Sequence, residues 1–144
     1  KGYSPNWVNQ RLKSIEIRKA LTDEWEKRDV KEGLEFAILT DEITKAWTGM
    51  TTKEYKRLKD IKKENLRDNM TNLELVLNML AETATTEISE KCEPKNLEEN
   101  KTVAREGGTV AGNARKEIEI KTGKKVITNK NAKMLRGYNN QRLK

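Results

Sequence analysis

Histidine is absent from the 144 residues, and cysteine occurs only once, at Cys92. Without histidine the chain has no imidazole for acid–base catalysis, and with one cysteine it cannot build a His/Cys zinc site. The single cysteine also excludes an internal disulfide, and without a histidine partner Cys92 is not expected to be a nucleophile. These absences exclude much of enzymatic chemistry, and we expect no metal or other cofactor.

Large apolar residues are scarce as well. Leu, Ile, Val and Phe make up 29 of the 144 residues, whereas charged residues make up 37%, so the core must be small. No apolar run approaches the ~20 residues that span a bilayer, and no secretory start is present. We expect a cytoplasmic protein that has no membrane partner.

Proline and glycine are also few, with two and eight residues. Ala, Leu, Glu, Lys and Arg recur at helical spacing, which predicts an all-α fold of five or six helices around one central apolar helix. The first helix should begin at Ser4-Pro5 and continue to about Arg28. A second should cover residues 40–48 with Thr40 as its N-cap, and residues 34–39 could lead in as an extended segment or as a further helical turn.

Two capping boxes predict the next two helices. The box at residues 51–54 opens a helix that should continue towards Leu66. The box at residues 71–74 opens the most apolar helix, which should stop before Pro94. Within it, residues 73–80 have so little polar surface that we expect them to be the least exposed part of the fold.

The remaining chain is predicted to hold two shorter helices and a tail. Asn96 should cap a helix that ends near Arg105, the pair Gly107-Gly108 should break it, and a last helix should end at Gly123. Residues 126–127 are too short for more than an edge strand or an extended linker. We expect an all-α domain over residues 1–127 and a basic tail over residues 128–144 that becomes ordered only on a partner.

The positive charge is concentrated in the last third of the chain. The net charge is +2 over residues 1–33, −3 over residues 34–94 and +8 over residues 95–144, and no acidic residue follows Glu119. Such a field attracts nucleic acid, although a solvated basic tail has the same composition. The residues expected to contact nucleic acid are Lys53, Lys56, Arg57, Lys59, Arg115, Lys121, Lys124, Lys125, Lys130 and Lys133.

Three local patterns admit both a functional and a plain structural interpretation. Residues 41–58 have a helix-turn-helix outline around Gly49, which is also typical of an ordinary two-helix corner. The segment GGTVAG at residues 107–112 lacks a phosphate-loop motif, so we expect close helix packing there. Glu119 and Lys121 are two residues apart, about 200° around a helix, so they cannot share one metal as in a nuclease.

Tryptophans could stack on bases, but the spacing of Trp7, Trp25 and Trp47 favours a place in the core.

Four blocks of sequence resemble the C-terminal half of the DNA-damage-inducible protein D (DinD) family, whose members usually carry an N-terminal Bro-N domain of the phage-antirepressor type. The blocks are WVNQRLK at residues 7–13, LTDEI with GMTTKEY at 39–43 and 49–55, NLRDNMTNLEL at 65–75, and ENK with EGGTVAGNAR at 99–101 and 106–115. The chain has no Bro-N domain and starts at Lys1, so we expect a fragment or a truncated relative.

The resemblance implies a regulator of bacterial or phage origin that acts in the DNA-damage response, at DNA or at a recombinase–DNA filament, and that is not an enzyme. It supplies no catalytic residues. The leading interpretation is a non-enzymatic regulatory domain that contacts DNA without sequence preference. The alternative is a protein–protein module, either an antirepressor-type arm that captures a repressor or a dimerisation arm. A nuclease is the third and weakest interpretation.

Overall fold

The computed structural model describes residues 2–136, and all regular secondary structure in that range is helical. This confirms the all-α prediction. A short 3₁₀ helix, Arg67–Asn69, precedes the fourth α-helix, and residues 132–136 form one more helical turn. The five α-helices are α1 (Pro5–Lys27), α2 (Leu34–Thr48), α3 (Thr52–Leu58), α4 (Asn72–Cys92) and α5 (Leu97–Thr122).

The beginning of α1 follows from its capping residues. The Ser4 hydroxyl accepts a hydrogen bond from the backbone N–H of Trp7, and Pro5 occupies the first helical position, where no N–H is needed. The indole N–H of Trp7 then donates to the carbonyl of Met70 at 2.8 Å, which fixes the start of α1 against the start of α4. All three tryptophans are buried, as the sequence predicts.

Helix α4 is the central helix, as predicted, because it packs against α1, α2 and α5. It runs in the same direction as α1, while α5 returns along it and ends near its start. The prediction that residues 73–80 are the least exposed part of the fold is wrong in detail. Leu75 and Leu77 are buried, but Leu73, Val76 and Leu80 are each more than a third exposed, because they lie on the face that no helix covers.

Helices α2 and α3 differ from the prediction at one end each. Helix α2 begins at Leu34, so Thr40 is inside the helix rather than its N-cap, and its hydroxyl donates to the carbonyl of Phe36. Helix α3 opens with the predicted capping box but ends at Leu58 instead of near Leu66. The chain turns at Asp60, whose φ is +58°, and this turn buries Ile61 while the polar residues after it stay exposed.

The predicted break at Gly107-Gly108 does not occur, since α5 is one continuous helix. These glycines allow close helix packing instead. A Cβ on Gly107 would lie 2.0 Å from the Thr85 hydroxyl of α4, and one on Gly108 would lie 2.6 Å from the Cβ of Ala46 in α2. The cost of helical glycine is about 1 kcal/mol each, and the contacts of α5 with both neighbours offset it.

Residues 123–131 leave α5 without forming a strand, and several of their backbone groups bond to α3, α4 or α5. Residues 128–132, which the sequence places in the tail, lie against the C-terminal end of α3 and the N-terminal end of α4. Residues 133–136 of the expected tail continue the last helical turn, and residues 137–144 lie outside the described residues.

Candidate nucleic-acid interface

The candidate interface consists of the five lysines within residues 120–136, and we call this stretch the basic segment. All five lysines are exposed. In the described part of the chain, Lys121 has one acidic neighbour within 4 Å, the Glu117 carboxylate at 3.9 Å, and the Lys121 side chain is 70% exposed. No acidic residue interrupts residues 120–136, so their positive field is not neutralised from within the segment. The lysines are Lys121, Lys124, Lys125, Lys130 and Lys133.

Glu119 fastens the beginning of the basic segment to α5. Its carboxylate accepts the backbone N–H of Val126 at 3.0 Å and a guanidinium hydrogen bond from Arg115 at 2.8 Å. Burial raises the pKa of Glu119, but the Val126 N–H and the positive charge of Arg115 outweigh it and leave the pKa below its ordinary value. Val126 is itself only 4% exposed, so the segment turns back onto the fold here.

A buried ion pair fastens the middle of the basic segment. The Lys59 ammonium lies 2.6 Å from the Glu74 carboxylate, and neither side chain is exposed. The same ammonium donates to the carbonyl of Lys130, and Glu74 accepts the backbone N–H of Thr128. Burial lowers the pKa of Lys59, while the charge of Glu74 opposes that change.

Two amide side chains complete this attachment. The amide of Asn131 donates to the carbonyl of Lys59 at 3.0 Å, and the backbone N–H of Ala132 donates to the Asn69 amide oxygen at 2.8 Å. Because these bonds hold backbone groups, the side chains of Lys130 and Lys133 remain exposed. Residues 130–132 therefore lie beside the C-terminal end of α3.

Two of the ten predicted contact residues must be corrected. Lys59 has no exposed surface and is paired with Glu74, so its ammonium is not available to a phosphate. Arg115 is 15% exposed, and it donates to the carbonyl of Trp47 and to Glu119, so it has a structural role. On α3 the structure leaves Lys53 and Arg57 exposed and Lys56 half-buried.

Sequence reasoning missed a line of polar residues within the apolar helix α4. Glu74, Asn78, Glu82, Thr85 and Ser89 recur every three or four residues and are all buried. That spacing places them on one face. Polar residues at helical spacing inside an otherwise apolar helix are the sequence signal that predicts buried hydrogen-bond or ion-pair partners for these side chains.

Glu82 of this stripe pairs with two arginines. Arg18 of α1 donates to its carboxylate at 3.1 Å, and Arg67 of the 3₁₀ helix donates to the same oxygen. Arg18 also donates to the Thr40 hydroxyl and lies over the ring of Trp25. Burial lowers the pKa of Arg18, Glu82 counteracts this and the like charge of Arg67 adds to it. The cluster of one carboxylate and two guanidiniums carries a net positive charge.

Among residues 2–136, no three His, Cys, Asp or Glu side chains are arranged to hold a metal ion. No helix in that range is both long enough and apolar enough to cross a bilayer. Comparisons of the chain with protein-family models, with curated proteins and with solved structures gave no match.

Proposed function

We propose that the chain is a non-enzymatic regulatory domain that acts in the cytoplasm at DNA, or at a recombinase–DNA filament, through its basic segment. The resemblance to the DinD family, which rests on the residues quoted above, motivates the regulatory role. The observation that supports contact with DNA is the exposed basic segment, whose backbone is held to the fold by Glu119, Glu74 and Lys59.

Lysines on a backbone that is held in place are suited to contact with a polyanion. Lysines on an ordered backbone lose less conformational freedom on binding than lysines on a free chain. Point charges of this kind neutralise phosphates but do not read base edges, so the expected binding is independent of sequence. Lys53, Lys56 and Arg57 of α3 extend the same charge, because the attachment at Lys59 brings residues 130–132 to the end of α3.

A protein–protein module is the second candidate, and one observation favours it. Val8, Leu12 and Ile15 recur along one side of α1 and are 38%, 58% and 52% exposed. An apolar stripe of this kind is typical of a surface that packs against another protein or a second copy of the chain. A repressor or a homo-oligomer would be the partner in this case.

Fluorescence anisotropy with single- and double-stranded oligonucleotides would test the proposal. The test variant changes the five lysines of the basic segment to Gln. The control variant makes the same charge change at five exposed lysines elsewhere, namely Lys13, Lys19, Lys27, Lys31 and Lys91. DNA contact predicts that the test variant loses affinity by about tenfold or more while the control loses much less.

Two results would contradict DNA contact. One is the absence of binding by the unchanged chain at low salt. The other is an equal loss in the two variants, which would show that only net charge matters. A stable dimer that is indifferent to DNA, measured by light scattering of the unchanged chain, would favour the protein–protein module.

A further inference from the structure

A large groove lies between α1, the first half of α2, α3 and the loop that follows α3. Its volume is about 910 Å³, within the range of about 300–1,000 Å³ that is usual for ligand-binding clefts. The groove is open to solvent rather than enclosed. It therefore has room for a short segment of another chain that enters and leaves it.

The floor of the groove is apolar and comes from the first turns of α2. Phe36 and Ile38 are half-buried there, and Ala37 is exposed. Helix α3 is fastened to α2 further along, where the Asp41 carboxylate accepts the backbone N–H of Thr52 at 2.7 Å. Because this attachment lies beyond the first turns of α2, Ala37 and its apolar neighbours stay accessible from the groove.

The hydroxyl groups beside this floor already have partners. The Thr40 hydroxyl donates to the carbonyl of Phe36 and accepts a hydrogen bond from Arg18 at 2.7 Å. The Thr51 hydroxyl accepts the backbone N–H of Glu54 at 3.0 Å. These groups need no ligand, so the floor attracts a partner through burial of apolar surface rather than through hydrogen bonds.

The rim of the groove is positively charged. Lys53, Lys56 and Lys62 line it on the side of α3 and the following loop, and Lys53 and Lys62 are exposed. The acidic residue of the lining is Asp41, whose carboxylate is engaged by the backbone of α3. Glu64 lies outside the lining, where it accepts backbone N–H groups of the loop. The three lysines therefore give the rim a field that attracts negative charge.

We propose that this groove binds an acidic segment of a protein partner. One or two large apolar side chains of that segment lie on the floor at Ala37, and its carboxylates lie beside the lysines of the rim. The apolar floor and the basic rim are complementary to this chemistry. A nucleic-acid backbone matches the rim but leaves the floor uncovered, so the floor favours a peptide. The inference goes beyond the proposed function, because the ligand is a protein segment and the groove does not use the basic segment.

Fluorescence anisotropy with a labelled synthetic peptide tests this groove. The probe is a short peptide that has aspartates on both sides of a central Leu-Phe pair, and the control peptide has Ser-Ser in place of that pair. The Leu-Phe peptide should bind at least about tenfold more tightly, because burial of a large apolar side chain contributes that much. Its binding should also weaken as salt is added, because salt screens the lysines of the rim.

A substitution on the floor tests the apolar contact without changing any charge. Ala37→Gln places a longer polar side chain in the groove, and Ala20→Gln makes the same change at an exposed position of α1 outside it. We expect the first variant to weaken binding of the Leu-Phe peptide by about tenfold and the second by less than about twofold. Since no charge changes, both variants should keep the DNA affinity of the unchanged chain.

A pair of substitutions on the rim tests the charge. Lys53→Gln combined with Lys62→Gln should weaken binding of the Leu-Phe peptide by about fivefold, because two of the three lysines of the rim are lost. The control combines Lys19→Gln with Lys27→Gln, at exposed positions of α1 outside the groove. Its loss should be less than about twofold.

Three results would overturn the proposal. The first is that the unchanged chain does not bind the Leu-Phe peptide. The second is equal binding of the Ser-Ser peptide, which would indicate a surface for polyanions such as nucleic acid. The third is equal affinity of the Ala37 and Ala20 variants. Circular dichroism establishes whether each variant is folded, and if Ala37→Gln is not, the lysine pairs decide. All variants keep the five lysines of the basic segment, so failure of this site leaves the proposed DNA contact to its own test.

Discussion

Lys59, the residue that follows α3, and Glu74 of α4 form a fully buried ion pair, with 2.6 Å between the ammonium and the carboxylate. The pair joins three parts of the chain, because Lys59 also bonds to the carbonyl of Lys130 and Glu74 also bonds to the N–H of Thr128. It further closes the capping box of α4, where Glu74 accepts the N–H of Thr71. The attachment of the basic segment to the fold thus depends on this buried charge pair.

Replacing Lys59 by Met should destabilise the protein by about 3–5 kcal/mol, because it leaves the Glu74 carboxylate buried without its partner. Urea unfolding measures the change. The matched control is Lys53→Met in α3, which removes an exposed charge and should change the free energy of unfolding by less than about 0.5 kcal/mol. Similar values for the two variants would show that the pair is not buried as described.

The attachment of Val126 to Glu119 should respond to acid. The pKa of Glu119 is below its ordinary value of 4.5 in the folded protein, so this carboxylate adds stability that is fully present above that value. The contribution is lost as the pH falls through the lowered pKa. The NMR signal of the Val126 amide should titrate with a midpoint below 4.5, and Glu119→Gln should remove that titration. A midpoint above 4.5 would contradict the arrangement.

Alanine at Gly108 or Gly112 should destabilise the protein, although alanine is the better helix former. A Cβ at either position would lie 2.6 Å from an atom of α2, so α5 would have to move away. Overpacking of this kind costs about 1–3 kcal/mol, which exceeds the gain of about 1 kcal/mol in helix propensity. Asn113→Ala, at an exposed position of α5, is the control and should be neutral or slightly stabilising in thermal unfolding.

Two leucines of α4 should differ in their contribution to stability. Leu77 is 3% exposed and Leu80 is 37% exposed. Leu77→Ala should therefore cost about 2–5 kcal/mol, and Leu80→Ala should cost distinctly less in the same denaturation experiment. Equal losses would mean that the face of α4 that carries Leu80 is covered.

Local signals in the sequence predicted the beginnings of several helices well. Ser4-Pro5 and the two capping boxes act within a few residues, so the sequence is enough to locate α1, α3 and α4 at their N-terminal ends. The sequence did not predict the helix ends that tertiary packing determines. Helix α3 stops where Lys59 turns inwards to Glu74, and α5 passes through Gly107 and Gly108 because α4 approaches the first and α2 the second.

The candidate interface could also be predicted only in part, because its charge is visible in the local sequence whereas its tertiary contacts are not. Charge along the chain identified the lysines after Glu119, and five of them are exposed. Charge alone could not reveal that Lys59 is consumed by a buried pair, because its partner is 15 residues away in sequence.

The salt dependence of DNA affinity tests the central proposal most directly, since each neutralised phosphate of duplex DNA contributes a slope of about −0.9 in log K against log salt. The unchanged chain should show a steep slope, and replacement of Lys121, Lys124, Lys125, Lys130 and Lys133 by Gln should make it shallower by as much as about 4.5. The five-lysine control variant should keep the original slope. Equal slopes for all three proteins would contradict contact between the basic segment and DNA.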